Sequence, residues 1–414
     1  MTTAAPLPAT AASTRVRAGV AAWLGWMFDG LDMHLYTLVA VPLVAEMLGG
    51  LATSDPQVRS TSAYIQAAFL IGWAAGGLVF GMIGDRLGRS RTLVLTILTY
   101  ALFTGLGYFA QTWWQLAGCR FLAALGIGGE WAVGAALLAE SWPSRWRPWL
   151  AAILQSAVNV GIMLATLAGY LLAGLPHQTV FLVGLVPALL TLWIRKAVPE
   201  TDTWSAARAA QAVPPLSDLF RGSLRRTTLL SLIVCGLMLT AHWAFMFWYL
   251  QHIRCLPEVA DWTAAERTKL ASIALLVVMI TSIMGNFLAA YLARRFGWRR
   301  AVCGMSLAYA TLVIWGFIVP RPLAEVWPFL AAIGICQGVF ALFTMYLPPL
   351  FPTLLRTTGA GLCYNTGRIL AGVGTVLFVI IVPVGEVRLA LVFAATLFIP
   401  AAFLALLLPA VDDG

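Results

Sequence analysis

Long apolar stretches alternate with short polar connectors along almost the whole chain. Twelve of these stretches are long enough to cross a bilayer, which takes about twenty apolar residues as a helix. They lie near residues 18–42, 61–83, 92–110, 113–139, 149–173, 179–197, 228–250, 270–293, 301–319, 326–349, 358–383 and 388–409. The alternating pattern of a membrane β-barrel is absent from the sequence. The pattern predicts an all-α membrane protein with twelve transmembrane helices.

The one long polar connector, residues 198–227, lies at mid-chain. It predicts an N-terminal six-helix bundle (1–197), a linker (198–227) and a C-terminal six-helix bundle (228–414). The halves also match at a constant offset of 209 residues. The matching pairs are Gly88 and Gly297, Arg86 and Arg295, Arg91 and Arg300, Pro143 and Pro352, and Arg147 and Arg356. We therefore expect two repeats in the same orientation around a central cavity, with a binding site between them.

Charge is scarce and unevenly placed. Only 10% of residues are charged, against 61% hydrophobic ones, and the net charge is +9. Most arginines lie in connectors on one side of the predicted membrane, which marks that side as cytoplasmic. The charge therefore does not indicate a nucleic-acid partner, and an even number of spans puts both termini on the cytoplasmic side. Six scattered cysteines indicate neither disulfides nor a metal site. No nucleotide-binding or catalytic motif is present, so we expect no enzyme and no cofactor.

Two aspartates, Asp29 and Asp32, interrupt the first apolar stretch. A charged group at that depth costs about 2.5–3.5 kcal/mol. Positions i and i+3 share a helix face, so both carboxylates are expected in the same space. Two close carboxylates in a medium of low dielectric favour the protonated form of one of them, which suits proton coupling. A purely structural role, with both aspartates held by Arg120 and local donors, is the alternative.

The fourth stretch contains Arg120 and, ten residues later, Glu130. Arg120 is expected to neutralise or tune the two aspartates; the alternative is a structural arginine whose charge reaches the membrane surface. Glu130 lies roughly 15 Å further along the same helix. We consider it a second proton-coupling position or part of an inner gate.

The eleventh stretch presents Arg368, Asn365 and Tyr364 on one helical face. A guanidinium is a planar fork suited to a carboxylate, so Arg368 is the predicted substrate anchor. Pairing with protein groups alone is the alternative. Further substrate-binding candidates are polar residues in other apolar stretches: Gln155, Asn159, His242 and Gln337. Each could instead make helix–helix hydrogen bonds.

The connector after the second stretch, Gly81 to Arg91, contains Asp85 between glycines and arginines. It resembles the loop signature of the major facilitator superfamily. Asp85 can accept hydrogen bonds from the N-terminus of a facing helix, or pair with Arg145 or Arg147. The expected gating residues are Asp85, Arg86, Arg89, Arg145 and Arg147. In the second copy Arg294 replaces the aspartate, so we expect no equivalent contact there.

Two further signatures carry the resemblance. Arg120 and the glycine-rich stretch after it are similar to the fourth-span signature of the superfamily. The Asp29-Gly-x-Asp32 element resembles the first span of its metabolite:proton symporters, notably those for aromatic acids and sialate, in which a span-11 arginine is a recurrent substrate contact.

This resemblance implies a secondary active transporter that imports a small organic anion by proton symport with alternating access. The anion would be a monocarboxylate, an aromatic acid or a sialate-like acid. We expect a monomer in the inner (plasma) membrane of a bacterium, with the lipid bilayer, the anion and protons as its only partners. A facilitator or proton symporter for a neutral sugar or polyol is the main alternative. A non-transporting membrane sensor is a remote one.

Overall fold

The computed structural model describes residues 12–52, 55–172, 175–381 and 387–411, and these contain α-helices and short 3-10 turns without any strand. The α-helices are α1 (Ala12–Met47), α2 (Pro56–Leu87), α3 (Arg89–Leu106), α4 (Trp113–Ser141), α5 (Arg147–Leu171), α6 (Val180–Val183), α7 (Val186–Ala197), α8 (Asp202–Ala210), α9 (Gly222–Arg254), α10 (Ala264–Phe296), α11 (Trp298–Phe317), α12 (Leu323–Gln337), α13 (Val339–Tyr346), α14 (Arg356–Ile381), α15 (Val387–Thr396) and α16 (Phe398–Ala405). The all-α prediction is confirmed.

Each of the twelve predicted spans corresponds to a helical segment. Within the described ranges, nine segments are each long and apolar enough to cross a membrane, and the bent α1 is a tenth. The sixth predicted span is interrupted, because α6 ends at Val183 and α7 begins at Val186. The eleventh is α14. The remaining helix, α8, lies in the mid-chain linker and contains no buried residue. The division of the chain at residues 197 and 227 stays a prediction.

The first helix is bent by 49° between its segments Ala12–Tyr36 and Val39–Met47. Pro42 lies inside α1. A proline removes a helix hydrogen bond and its ring crowds the carbonyl four residues earlier, here that of Leu38. The bend therefore falls just after the stretch that contains Asp29 and Asp32, which keeps both on regular helix.

The repeat is visible in matching connections. Gly88 alone joins α2 to α3 at a φ of 106°, and Gly297 alone joins α10 to α11 at a φ of 83°. Such positive φ values suit glycine. The 3-10 turns Ser144–Trp146 and Thr353–Leu355, each after one of the matched prolines, precede α5 and α14 in the same way. We call the end of the bundle with these four connections the arginine-rich end.

Glycines bring the central helices into backbone contact. A side chain at Gly76 of α2 would come within 2.1 Å of the Leu125 carbonyl of α4, and one at Gly128 of α4 within 2.0 Å of the Trp73 carbonyl of α2. In the same manner, a side-chain carbon at Gly361 of α14 would lie 2.3 Å from the Gly77 carbonyl oxygen of α2. Small residues thus let α2 pack closely against α4 in its own half and α14 in the other.

Candidate functional site

Asp32 and Arg120 form a fully buried ion pair. Arg120 lies 3.0 Å from Asp32 Oδ2 and also donates to the Asp32 backbone carbonyl at 3.3 Å. Thr104 of α3 donates its hydroxyl to Asp32 Oδ1. The guanidinium also lies 4.6 Å from the centroid of the Phe69 ring. Asp32 is thus satisfied by a charge and a hydroxyl, so the expected contact of Arg120 with the acidic pair is present for this aspartate.

Asp29 has different neighbours. Its carboxyl group lies in electrostatic range of the Glu130 carboxyl group on α4, which sits over Gly25, one turn before Asp29. Asp29 is 8% exposed and Glu130 is 0% exposed. Asp29 Oδ1 and both carboxyl oxygens of Glu130 are buried without a hydrogen-bond partner in the described part of the chain. Two carboxyl groups can bond to each other only if one keeps its proton.

Gly25, one turn before Asp29, makes this contact possible. A side-chain carbon at Gly25 would lie 1.5 Å from Glu130 Oε1, so the Glu130 carboxyl group occupies the space over a bare backbone. We expected Asp29 and Asp32 to share one space with Arg120 beside them. Asp32 contacts Arg120, and Glu130 is a further acid beside Asp29.

Arg368 of α14 is a buried guanidinium without an acidic partner in contact among the described residues. It is 5% exposed and donates to the Asn365 side-chain oxygen. The guanidinium lies 3.9 Å from the ring centroid of Trp73 and 4.8 Å from that of Tyr364. Asp29 is in electrostatic range of Arg368 but forms no ion pair with it. Aromatic faces stabilise this charge in place of a carboxylate.

Sequence reasoning missed the two tryptophans of this environment. Trp73 faces Arg368, and Trp131 of α4 stacks on Tyr364 at 4.1 Å between ring centroids and 2° between ring planes. In a chain with 17 tryptophans, most of them are expected at the membrane interface. Trp131 directly follows Glu130, and this proximity to an intramembrane acid was the available signal.

The other predicted lining residues mostly contact protein. Asn159 of α5 donates to the Met279 carbonyl of α10 at 3.1 Å. His242 of α9 lies 3.2 Å from the Tyr309 hydroxyl, and Gln337 of α12 donates to the same hydroxyl at 3.4 Å. Gln155 is half-buried. Asn365, besides accepting from Arg368, donates to the Gly128 carbonyl at 3.3 Å. The bond between Asn159 and Met279 joins two helices, which is the alternative role considered for Asn159.

At the arginine-rich end, Asp85 joins the two halves. It accepts from the backbone N–H groups of Thr357 and Thr358 in the first turn of α14, at 3.2 and 2.9 Å, and from the Thr358 hydroxyl at 2.6 Å. Of the two partners considered for Asp85, the structure shows the N-terminus of a facing helix. Its cationic partner is Arg89, at 3.0 Å. Arg86 and Arg145 are exposed, and Arg147 is half-buried at the start of α5.

Glu140, near the end of α4, is a second acid in this cluster that sequence reasoning missed. It lies 2.8 Å from Arg89 and 2.8 Å from Arg356, the first residue of α14. Thr201 of the linker donates to it at 2.5 Å. Through these contacts the Glu140 carboxylate joins α3, α14 and the linker. An acid at the end of an apolar helix, next to a basic connector, was the sequence signal.

The start of the linker binds to the same cluster of residues at the arginine-rich end. Glu200 accepts from the backbone N–H groups of Ser90 and Arg91 at 3.1 and 2.9 Å, at the start of α3. Trp204 donates its indole N–H to the Asp85 carbonyl at 3.0 Å. The start of the linker therefore caps α3, and the whole cluster closes this end of the bundle.

Comparison with known proteins agrees with this architecture. The family model described as Major Facilitator Superfamily matches residues 20–375. A probable 4-methylmuconolactone transporter of Cupriavidus pinatubonensis is 33% identical over 369 residues, covering 86% of this chain and 81% of that protein. The sialic acid transporter NanX of Escherichia coli is 28% identical over 357 residues, covering 84% and 82%. Among solved structures, the proton:xylose symporter XylE bound to a bromodeoxyglucose has a TM-score of 0.75 at 17% identity, with 95% of each chain covered.

Proposed function

The chain belongs to the major facilitator superfamily of membrane transporters, and we propose that it imports a small organic anion together with a proton by alternating access. It is a transporter and not an enzyme. The buried guanidinium of Arg368 is the observation that supports an anionic substrate. A guanidinium buried between aromatic rings, with no acid in contact among the described residues, is a ready partner for a substrate carboxylate.

The names of the relatives support an organic acid. Two of the relatives are named for 4-methylmuconolactone and for sialic acid. The xylose symporter resembles this chain in fold, but its 17% identity carries no argument about substrate. A neutral sugar would leave the Arg368 charge without a counter-charge in the loaded site, which is costly in a buried place. This favours the anion over the sugar alternative.

The proton is proposed to reside on the Asp29 and Glu130 carboxyl groups. Both are buried, they lie in electrostatic range of each other, and no donor reaches Glu130 within the described ranges. Release of the proton would leave two adjacent negative charges in a medium of low dielectric. Arrival of a substrate anion at Arg368, which is in electrostatic range of Asp29, would then favour protonation of the pair.

The arginine-rich end is proposed to be the cytoplasmic gate. Its arginines satisfy the positive-inside rule, which supports a cytoplasmic position for this end. With an even number of spans, both termini are proposed to lie on the same side, in a protein of the inner membrane. Asp85 binds the first turn of α14, and Arg368 lies three turns further on the same helix. Movement of α14 on substrate binding would therefore act on both places. One chain supplies both halves, so a monomer is the proposed unit.

Proteoliposome uptake tests this function. The purified full chain would be reconstituted, and uptake of radiolabelled sialate, cis,cis-muconate and xylose measured with and without an inside-alkaline pH gradient. We expect at least one of the two acids to be accumulated only with the gradient, and no accumulation in Arg368→Gln proteoliposomes or protein-free liposomes. Acid uptake that is indifferent to the gradient would contradict symport, and gradient-driven uptake of xylose alone would contradict the anion.

A further inference from the structure

Two helix pairs join the halves at the arginine-rich end. We call the contact of α2 with α14 the first seam and the contact of α5 with α10 the second seam. The repeat offset of 209 residues relates the two seams, so the same place in each can be compared. The corresponding pairs are Asp85 and Arg294, Thr357 and Pro148, and Thr358 and Trp149.

The first seam is held by charged groups. The Asp85 carboxylate accepts hydrogen bonds from two backbone N–H groups and one hydroxyl of Thr357 and Thr358, the longest of them 3.2 Å. Arg89 lies 3.0 Å from Asp85 and donates to the Thr353 carbonyl, just before α14. Asp85 and Arg89 are both buried. Hydrogen bonds to an ionised group are stronger than neutral ones, so the first seam is costly to open.

The second seam lacks both the acid and one of its donors. Arg294 replaces the aspartate, and Pro148 has no backbone N–H. We expected no equivalent contact here, but the structure shows one of another kind, because the Arg294 guanidinium lies 5.9 Å from the ring centroid of Trp149. Arg294 is exposed and has no acid in contact among the described residues. An exposed cation–π contact is weak, so the second seam opens at a lower cost.

The same difference continues deeper in the membrane. In the first seam, the backbones of Gly77 and Gly361 pack directly on each other. In the second seam, Asn159 makes one neutral hydrogen bond, to the Met279 carbonyl at 3.1 Å. Asn286 of α10, which takes the place of Gly77 in the repeat, is buried with both side-chain polar atoms unpartnered in the described part of the chain. Water entering an open second seam would satisfy this amide, which further lowers the cost of opening.

We propose that the two seams open in order, the second seam first, and that the contact between Arg294 and Trp149 holds the second seam closed until then. The first seam acts as the hinge, because the hydrogen bonds of Asp85 are still made when the weaker contact has broken. The gap between α5 and α10 is the route by which the substrate leaves toward the cytoplasm. This inference rests on the proposed function for the arginine-rich end's being the cytoplasmic gate.

Hydrogen–deuterium exchange of the purified full chain, followed by mass spectrometry, measures the two seams separately. Peptides from 150–158 and 284–293 report on the second seam, and peptides from 76–84 and 359–366 report on the first. Arg294→Gln should speed exchange in the second seam about two- to fivefold, the factor that an exposed cation–π contact supports, and leave the first seam unchanged. Asp85→Asn should speed exchange in both seams, because the weaker contact alone does not hold the gate.

Matched variants separate this contact from a general effect of lost charge. Arg295→Gln is the control, because Arg295 is also exposed but lies over Phe296 of its own helix, 5.8 Å from the ring centroid. It should leave exchange in both seams unchanged. Trp149→Leu should match Arg294→Gln. Arg294→Lys keeps a cation and Trp149→Phe keeps a ring, so each should retain most of the slow exchange of the unaltered protein.

Two results would overturn the inference: equal exchange in Arg294→Gln and Arg295→Gln, or equal acceleration of both seams in Arg294→Gln. Arg294 is exposed and Trp149 is half-buried, so their variants are expected to fold, and thermal unfolding midpoints check this. The exchange measurement uses neither substrate nor a pH gradient, so its failure leaves the proposed anion symport standing. Uptake that is indifferent to the pH gradient would contradict symport without altering the exchange pattern.

Discussion

Asp29 and Asp32 lie three residues apart on one helix, yet Asp32 is beside a cation and Asp29 is beside another acid. Asp32 is 3.0 Å from Arg120 and accepts a hydroxyl from Thr104. Asp29 meets the carboxyl group of Glu130 over the bare backbone of Gly25. Along α4, Arg120 and Glu130 are ten residues apart, and the antiparallel course of α1 brings each to a different aspartate. One helix pair thus carries a satisfied ion pair beside an acidic pair that needs a proton.

The difference teaches that two intramembrane acids of similar sequence context can have separate tasks. A buried ion pair with its hydrogen bonds made resists changes of charge, because loss of either partner strands the other. In an acidic pair without outside donors, protonation depends on nearby charges, because no fixed cation in contact stabilises the ionised form. We expect the Asp32–Arg120 pair to hold the fold and the Asp29–Glu130 pair to carry the proton.

The largest expected effect is on transport, at Asp29. Asp29→Asn removes one carboxyl group of the acidic pair and should abolish substrate accumulation driven by a pH gradient, a loss of at least about tenfold. Exchange of internal for external substrate, which needs no net proton movement, should persist. Both are measured in proteoliposomes. Retention of gradient-driven accumulation in this variant would remove Asp29 from proton coupling.

The largest expected effect on stability is at Arg120. Arg120→Leu leaves the Asp32 carboxylate buried without its counter-charge, which costs about 3–5 kcal/mol. Thermal unfolding in detergent should show a clearly lowered midpoint, whereas Asp29→Asn should unfold close to the unaltered protein. If Asp29→Asn proves the less stable of the two, the contrast between the pairs is wrong.

A double variant sharpens this contrast. Asp32→Asn with Arg120→Leu removes both charges together, so no buried charge is stranded. We expect it to be more stable than Arg120→Leu alone. The interaction free energy between the two residues is expected to be about 1–3 kcal/mol. Stability losses that simply add would show that the two residues do not depend on each other.

A moderate effect is expected at Gly25. In Gly25→Ala the new methyl group would lie 1.5 Å from Glu130 Oε1, so Glu130 must leave its place beside Asp29. The pH profile of uptake should shift. Gly19→Ala is the control on the same helix, because its methyl group would meet Trp142 at an ordinary 3.8 Å. An identical pH profile for both variants would speak against the position of Glu130.

The smallest expected effect is at Thr104. Thr104→Val removes one hydroxyl bond to Asp32 but leaves the ion pair, at a cost of about 1–2 kcal/mol. Thr104→Ser, which keeps the hydroxyl, is the matched control. Thermal unfolding distinguishes them, and equal midpoints would mean that the hydroxyl contributes little to holding Asp32.

Much of this could be predicted from the sequence, because it depends on patterns within single helices. Apolar length predicts the twelve segments, and the matched spacing of Gly88 and Gly297 predicts equivalent connections. The contact of Arg120 with the acids follows from the cost of an isolated membrane charge. The acid that lies beside Asp29 could not be predicted in this way. Whether Asp29 meets Asp32 or Glu130 depends on how α1 and α4 cross, which only packing between helices decides. The same holds for Glu140 and Trp73, whose partners lie in distant parts of the chain.

The central claim, that Asp29 and Glu130 hold a proton while Asp32 is held by Arg120, can be tested by infrared spectroscopy. The carbonyl stretch of a protonated carboxyl group is distinct from that of a carboxylate. Spectra of the purified protein at neutral pH would be compared with those of Asp29→Asn, Glu130→Gln and Asp32→Asn. We predict a protonated-carboxyl band that shifts in frequency in both the Asp29→Asn and Glu130→Gln variants, because the remaining acid loses its partner, and that is unchanged in Asp32→Asn. A band that is unchanged in the first two and altered only in Asp32→Asn would contradict the account.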